Sequence, residues 1–435
     1  MSYDAVIIGG GPSGATAAYY LVRAGLNPLV IEQTQFPRYC VGESLLPYNM
    51  EIFREMGFDK ILEKKGFMKK EGAVFGSSVS KKINRIDFSD GMEQEYSYAY
   101  QVPRDEFDYL LLEHVKEKGV EVLQGVVTEP VMVDRKVTGV KVRLSDKSER
   151  TIEAGVVVDA SGRSSLLARK FNLLVPDPHI ETFSVFGIFN NISWLKEAKS
   201  GDILILAFEY GWFWFIPFAD GRVSVGVVVD FKFYQHCRTV SPDDFFDMMT
   251  RLASGRVATL LQNATRDGKL HVLQKFSRYA KKKSGPGWVS IGDAAMFVDP
   301  VFSAGVFVAM ATGRLVASIT AEAISKNHEL NAEVYKPYEV ALISAYNTVL
   351  PYIYHFRSPL FQKIFFHPPK KGRFVALVVT ILSGCFFKPE LTDRDNKYFW
   401  RMVRFLEIKD KLVGFLTLRW LKDKDKLKSS AVAHK

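Results

Sequence analysis

Cysteine is scarce in this 435-residue chain, and Cys40, Cys237 and Cys385 lie far apart with no C-x-x-C pair. That scarcity argues against a disulfide framework or a zinc ribbon and makes a reducing, cytoplasmic setting the expectation. The eight histidines show no paired spacing, so no metal site is expected. His114, in a helical pattern, and His236, after a strand pattern, read as ordinary surface or core residues. Long hydrophobic runs are also lacking. The longest apolar stretch, Phe374–Phe387, falls short of the roughly 20 residues of a membrane span, so membrane contact is expected to be peripheral at most. The first residues run straight into a strand pattern without a basic leader, and no secretory signal is expected. No internal repeat, low-complexity segment or nucleic-acid module is found, and no nucleic-acid partner is expected. What remains is globular composition, 47% hydrophobic and 24% charged. The 58 basic against 48 acidic residues leave a formal charge of +10, which favours acidic partners or anionic surfaces without naming one.

The length accommodates two or three domains at roughly 150 residues each. Ala5–Ile8 is a continuous apolar run, as in a parallel strand buried on both faces. A glycine cluster, a helical stretch Ala15–Ala24 and a second buried run Pro28–Ile31 follow, which together make a βαβ unit. Leu110–Lys118 reads as a helix, Val120–Leu123 and Gly155–Asp159 as strands, and Val131–Leu144 as a hairpin turning near Asp134–Lys136. Gly287–Ile291 is another buried strand, leading toward a long small-residue helix, Gly305–Ser325. Between these pieces the period shortens to two. Glu95–Gln101, Thr182–Asn190, Asp202–Glu209, Trp212–Pro217 and Arg222–Asp230 read as strands of an antiparallel sheet. From about residue 331 the pattern is helical, aromatic and basic.

Gly9-Gly10-Gly11-Pro12-Ser13-Gly14 fits G-x-G-x-x-G between a strand and a helix, where glycines let a pyrophosphate approach the helix N-terminus. Glu32 ends the second strand about 20 residues on, the place for a carboxylate that holds ribose hydroxyls. No second such motif follows a strand, so a dedicated nicotinamide-nucleotide domain is not expected.

Further segments carry a resemblance. Val158-Asp159-Ala160-Ser161-Gly162, the Gly292-Asp293-Ala294 turn and Arg104 resemble motifs of the FAD-dependent monooxygenase superfamily. Phe36-Pro37-Arg38-Tyr39-Cys40-Val41-Gly42-Glu43-Ser44-Leu45-Leu46-Pro47, the W-x-W-x-I-P run Trp212–Pro217 and the turn Asp299-Pro300-Val301-Phe302-Ser303-Ala304-Gly305-Val306 resemble the flavin-dependent halogenases, most closely the pyrrole and phenol branch. The resemblance implies a doubly wound α/β FAD-binding domain of glutathione-reductase type, with an antiparallel-sheet substrate domain and a C-terminal helical region. Residues 1–75, 103–175 and 280–330 would form the first, 76–102 and 176–279 the second, and 331–435 the third.

The resemblance further implies reduced FAD supplied by a separate flavin reductase, with molecular oxygen and chloride or bromide as co-reactants. The acceptor would be an electron-rich aromatic, free or tethered to an acyl or peptidyl carrier protein. Gly9, Gly10, Gly11, Ser13, Gly14, Glu32, Arg38, Glu43, Ser44, Arg104, Asp293 and Val306 would hold the cofactor. Ala304 and Gly305 would bind halide through backbone amides, and the same residues also fit a plain helix N-terminal turn. Trp212, Trp214, Ile216 and Pro217 would wall the flavin from the acceptor, although the bare stripe fits core packing. Lys70, in a K-x-G-A context, would be the catalytic amine; Lys64, Lys65 and Lys69 crowd it, and such a run also fits solvated surface. Phe302 stands where the branch acting on free tryptophan has a glutamate, which points away from that substrate.

Residues 401–428 form a basic amphipathic segment that suits an acidic carrier, a membrane surface or an ordinary packed helix. Rival readings are a geranylgeranyl-reductase-like flavoprotein, an aromatic hydroxylase and a non-catalytic flavoprotein.

Overall fold

The computed structural model describes residues 3–79, 83–237, 241–366 and 372–409. Tyr3–Ile8 lies at the centre of a largely parallel sheet, flanked by Pro28–Glu32 on one side and Glu149–Asp159 on the other. Glu121–Gln124 and Trp288–Ser290 extend it outward in parallel, and Ser284–Gly285 closes one edge antiparallel. The central strands are apolar throughout because both faces are covered. The helices Pro12–Arg23 and Gly305–Ser325 pack closely together on one face. The hairpin Val126–Val133/Lys136–Arg143 continues antiparallel from the outer half of Glu149–Asp159.

A second, seven-stranded sheet runs in the order Thr265–Gln274, Thr182–Asn190, Val223–Asp230, Gly211–Pro217, Ile203–Phe208, Gly72–Ser77, Ile83–Asp87. All neighbours are antiparallel except Ile203–Phe208 beside Gly72–Ser77. Alternation divides its side chains. Val185, Phe213, Phe215, Val225 and Val227 pack on helix Pro242–Ala253, while Ile205, Trp212, Trp214 and Ile216 face the core shared with the first sheet.

The structure departs from the sequence expectations at three places. Only Ala99–Gln101 of the stretch Glu95–Gln101 is a strand, and it pairs with Met68–Lys70 instead of joining the large sheet. Gly72–Ser77 already belongs to the large sheet, so the chain crosses to it before residue 76. The longest apolar helix is Gly305–Ser325 rather than the Phe374–Phe387 stretch, within which the helix Arg373–Leu382 stops early. Among the described residues Gly305–Ser325 is long and apolar enough to cross a membrane. Its small residues are explained by close packing: a Cβ at Gly313 would lie 2.5 Å from the Ser13 carbonyl oxygen.

Ala332–His355 and the helical stretch 389–409 make up much of the C-terminal region. The basic segment expected over 401–428 is helical as far as 409; the rest of it lies outside the described residues.

Candidate active site

Between the two sheets lies a cavity of about 600 Å³, within the usual range of cofactor sites. Its first wall is the glycine turn that follows the strand Tyr3–Ile8. Gly9 has φ +103°, and a Cβ there would sit 2.6 Å from the Ala160 carbonyl oxygen. A Cβ at Gly14 would come within 2.0 Å of the Gly9 oxygen, so glycine is required for the turn to enter the helix. The helix start has no side-chain cap and no acid in its first turn, leaving its N–H groups open to an anion. Ser13 lines the cavity and has a buried hydroxyl with no partner among the described residues. Glu32 closes the turn by accepting the Gly10 N–H at 2.7 Å and the Thr34 N–H at 2.9 Å.

Arg104 opens helix Arg104–Glu117 and reaches back to Asp108, with Nε–Oδ1 at 2.7 Å and Nη2–Oδ2 at 2.9 Å. It also donates to the Val41 carbonyl at 2.9 Å, anchoring the loop that carries Glu43 and Ser44. Arg38 Nη1 stands 3.4 Å from Asp108 Oδ2, the oxygen that also accepts from Arg104 Nη2. Glu43 is fully buried, and burial pushes its carboxyl up against the opposing Gly42 N–H, Ser224 hydroxyl and Arg104 charge. The Trp214 indole N–H donates to Ser224 Oγ at 3.2 Å, and that hydroxyl donates to Glu43 Oε1 at 3.0 Å. Ser44 Oγ, like Ser13 Oγ, is buried without a partner. Asp293 is pushed up to about 6 by burial, against the pull of Arg104, Arg163 and Arg278.

The residues fit a flavin dinucleotide. Ser13 and Ser44, whose buried hydroxyls have no partner among the described residues, line a cavity that also touches the open helix N-terminus and Glu32. A buried hydroxyl without a partner is costly unless a ligand completes it.

The far wall is the antiparallel sheet. Trp212, Trp214 and Ile216 line the cavity together with Ile203 and Ile205, and Ile205 stands opposite Trp214 in the ladder. Trp214 has room because its neighbour is Gly226, where a Cβ would lie 2.2 Å from the indole. Behind Ile203 and Ile205 is a second space of about 20 Å³, lined by Lys70, Leu46, Phe75, Phe88, Phe302 and Leu382 among others. Ile203, Ile205 and Ser303 border both spaces. Lys70 is 1% exposed. Its Nζ donates to the Leu45 carbonyl at 2.9 Å and lies 5.2 Å from the Phe88 ring centre. Burial lowers its ammonium to a pKa of about 7, with the Asp202 charge opposing. Lys69, next in sequence, is exposed and lies over the Tyr98 ring.

Asp299 caps the short turn Pro300–Phe302, after which Ser303 adopts φ +58° and the helix starts at Gly305. Ser303, Gly305 and Val306 line the large cavity.

Some expected contacts are not made directly. Ala304, the helix cap between the lining residues Ser303 and Gly305, is not itself on the cavity wall. Gly10 and Gly14 shape the turn from behind, one donating to Glu32 and the other packing on Gly9. Pro217 is buried at the end of its strand, off the wall. Several lining residues carry no sequence motif: Ile203, Ile205, Ser184 and His271, whose ring stacks on Tyr39 at 4.1 Å. Period-two alternation could have placed Ile203 and Ile205 on one face, but only strand pairing puts that face beside the tryptophans. His114 bonds the Met56 carbonyl at 2.9 Å and is core.

Comparison with known proteins agrees with this geometry. Residues 2–335 match the family model described as an FAD binding domain. The chain is 32% identical over 361 residues to a 1H-pyrrole-2-carbonyl-[peptidyl-carrier protein] chlorinase of Pseudomonas fluorescens, covering 78% of this chain and 79% of the relative. It is 33% identical over 332 residues to the corresponding brominase of Pseudoalteromonas luteoviolacea, covering 75% and 79%. The solved structure of a flavin-dependent brominase superposes with a TM-score of 0.81 at 28% identity, covering 92% of this chain and all of that one. These relatives are halogenases, not prenyl reductases or hydroxylases.

Proposed function

The chain belongs to the flavin-dependent halogenases, and we propose that it chlorinates or brominates a pyrrole or phenol ring held on a carrier protein, with Lys70 delivering the halogen. The observation that carries this reading is the buried Lys70 amine, set in its own space behind the residues that wall the cofactor cavity. FAD, when bound in its reduced form, supplies the electrons with which molecular oxygen converts halide to hypohalous acid. A separate flavin reductase would provide that reduced cofactor.

The chain's own residues perform the remaining work. The turn Ser303–Gly305 offers halide the N-terminus of a 21-residue helix with no acid in its first turn. Trp212, Trp214 and Ile216 keep an acceptor ring away from the flavin, which prevents simple hydroxylation. Hypohalous acid passes the Ile203–Ile205–Ser303 border, which is thin because the same residues touch both spaces. At Lys70 the free amine attacks the halogen: an N–halogen bond forms, the O–halogen bond breaks, and the amine proton leaves with hydroxide as water. The acceptor carbon then takes the halogen, and the ring proton returns to the amine. A pKa near 7 keeps much of the amine neutral in this step. The lining contains no carboxylate to help, so the acceptor must be an already activated ring.

The substrate proposal follows the two pyrrolyl-carrier halogenases among the relatives. The test is a reaction of the purified protein with FAD, a flavin reductase, NADH, bromide or chloride, and pyrrole-2-carbonyl carrier protein, read by intact-protein mass. A halogenated carrier is expected. A hydroxylated product that forms without halide would overturn the reading.

A further inference from the structure

We propose that Arg163, Arg169 and Arg278 form an anion-capture site at the mouth of the cofactor cavity, which receives the phosphates of FAD as the cofactor arrives and leaves. The inference rests on the reading that reduced FAD comes by diffusion from another protein. Three observations lead to it.

First, none of the three guanidinium groups makes an ion pair among the described residues, although Arg85, Arg104, Arg222 and Arg314 all do. Two of them are held by carbonyls instead. Arg278 donates through Nη2 to the Arg163 carbonyl, and Arg169 donates through Nε to the Ser164 carbonyl at 2.8 Å.

Second, Arg278 Nε is buried without a partner. A buried donor that no protein group completes calls for an acceptor from outside. The half-buried Asp293 draws on the Arg278 charge, while Arg169 and Arg163 both press on it. The site therefore carries an excess of positive charge.

Third, the cluster adjoins the seat for phosphate. Arg163 lines the cavity within the turn Gly162–Ser164, on the segment whose Ala160 and Ser161 backbone touches Gly9. Asp293 follows Gly292, where a Cβ would lie 3.0 Å from Ser13 Oγ. Ser13 is the residue whose unpaired hydroxyl marks the helix N-terminus.

A small anion suits this geometry better than an acidic protein surface, because Arg278 turns its open donor inward. A cofactor that must arrive reduced and leave oxidised in every cycle gains from fast association. A cationic mouth raises that rate for a diphosphate and makes it dependent on salt.

The experiment is stopped-flow binding of oxidised FAD and of riboflavin, followed by flavin fluorescence, in potassium acetate from about 10 to 300 mM, a range over which screening grows strongly. The Arg163→Gln/Arg278→Gln variant is expected to lose on the order of tenfold in FAD association rate at low salt. Its riboflavin association should stay near the wild type, and its salt dependence should flatten. Inorganic pyrophosphate should slow FAD association to the wild type and not to the variant. An FAD association rate unchanged in the variant, or riboflavin slowed as much as FAD, would overturn the capture site. A wild type that takes up neither flavin would remove the cofactor reading, and this inference with it.

Discussion

At the scale of one residue, the proposed chemistry turns on a single proton. Lys70 ends the short strand Met68–Lys70, whose pairing with Ala99–Gln101 turns it inward while Lys69 points to solvent. With a folded-state pKa near 7, the amine is largely charged at pH 6 and largely free at pH 8. Halogenation per reduced flavin should therefore rise through this interval and level off above it, measured with the flavin supply held constant. Lys70→Met keeps the length and removes the amine. It is expected to cut halogenation by at least about 100-fold while flavin reoxidation continues. The same shift sets a stability test. Between the folded pKa and the ordinary lysine value near 10.4, the unfolded chain binds more protons, so wild-type stability should climb as pH rises. Below the folded pKa the buried charge is carried in full. Lys70→Met should thus be more stable than the wild type by a wider margin at pH 6 than at pH 9 in urea unfolding. An equal margin at both would show that the lysine is not desolvated. In the sequence, Lys69 and Lys70 differ only by their spacing to Gly72; burial, which separates them chemically, comes from contacts with Leu45 and Phe88 that no local pattern contains.

At the scale of elements, the strand Gly211–Pro217 works through what lies beside it. Its alternation and that of its neighbours were readable as pattern, and the helix Gly305–Ser325 has the same bounds in sequence and structure. Strand order was not readable, because pairing depends on segments far apart in the chain. That is why Ile205 opposite Trp214, and Ser224 between Trp214 and Glu43, carry no sequence signal. Ser224→Ala tests the connection. It leaves a buried indole N–H and a carboxyl oxygen without their partner, which costs about 1–3 kcal/mol. It also removes a group that holds the Glu43 carboxyl down, so that carboxyl should rise further. Denaturant unfolding should show the loss, with a larger yield of hydrogen peroxide per flavin oxidised as the tryptophan wall loosens. Gly226→Ala should be worse. Its methyl would collide with Trp214 at 2.2 Å, and overpacking of this kind costs about 1–3 kcal/mol or more.

At the scale of the whole molecule, the two spaces differ in what they can hold. The large cavity suits a dinucleotide, whereas the space around Lys70, at about 20 Å³, has room for about one water. An acceptor ring can reach the amine only if side chains give way. Phe75 and Phe302 line that space and pack in turn on Phe356 and Phe365, with the Phe75 and Phe365 rings 5.0 Å apart. Phe356 and Phe365 come from the C-terminal helices, whereas Phe75 and Phe302 belong to the two sheet-bearing parts. An acceptor at Lys70 would therefore compete with the packing of the C-terminal region, a relation hidden from sequence because it joins residues almost 300 positions apart. Phe365→Ala makes the competition measurable. An emptied ring site costs about 3–5 kcal/mol when nothing replaces the ring, and an acceptor able to occupy it returns part of that loss through binding to the folded state alone. The variant should unfold at lower denaturant, recover more of the loss with a saturating free phenol than the wild type gains, and show a higher kcat/KM for that phenol. Loss of stability with no recovery and no gain in kcat/KM would place the acceptor somewhere other than beside Phe365.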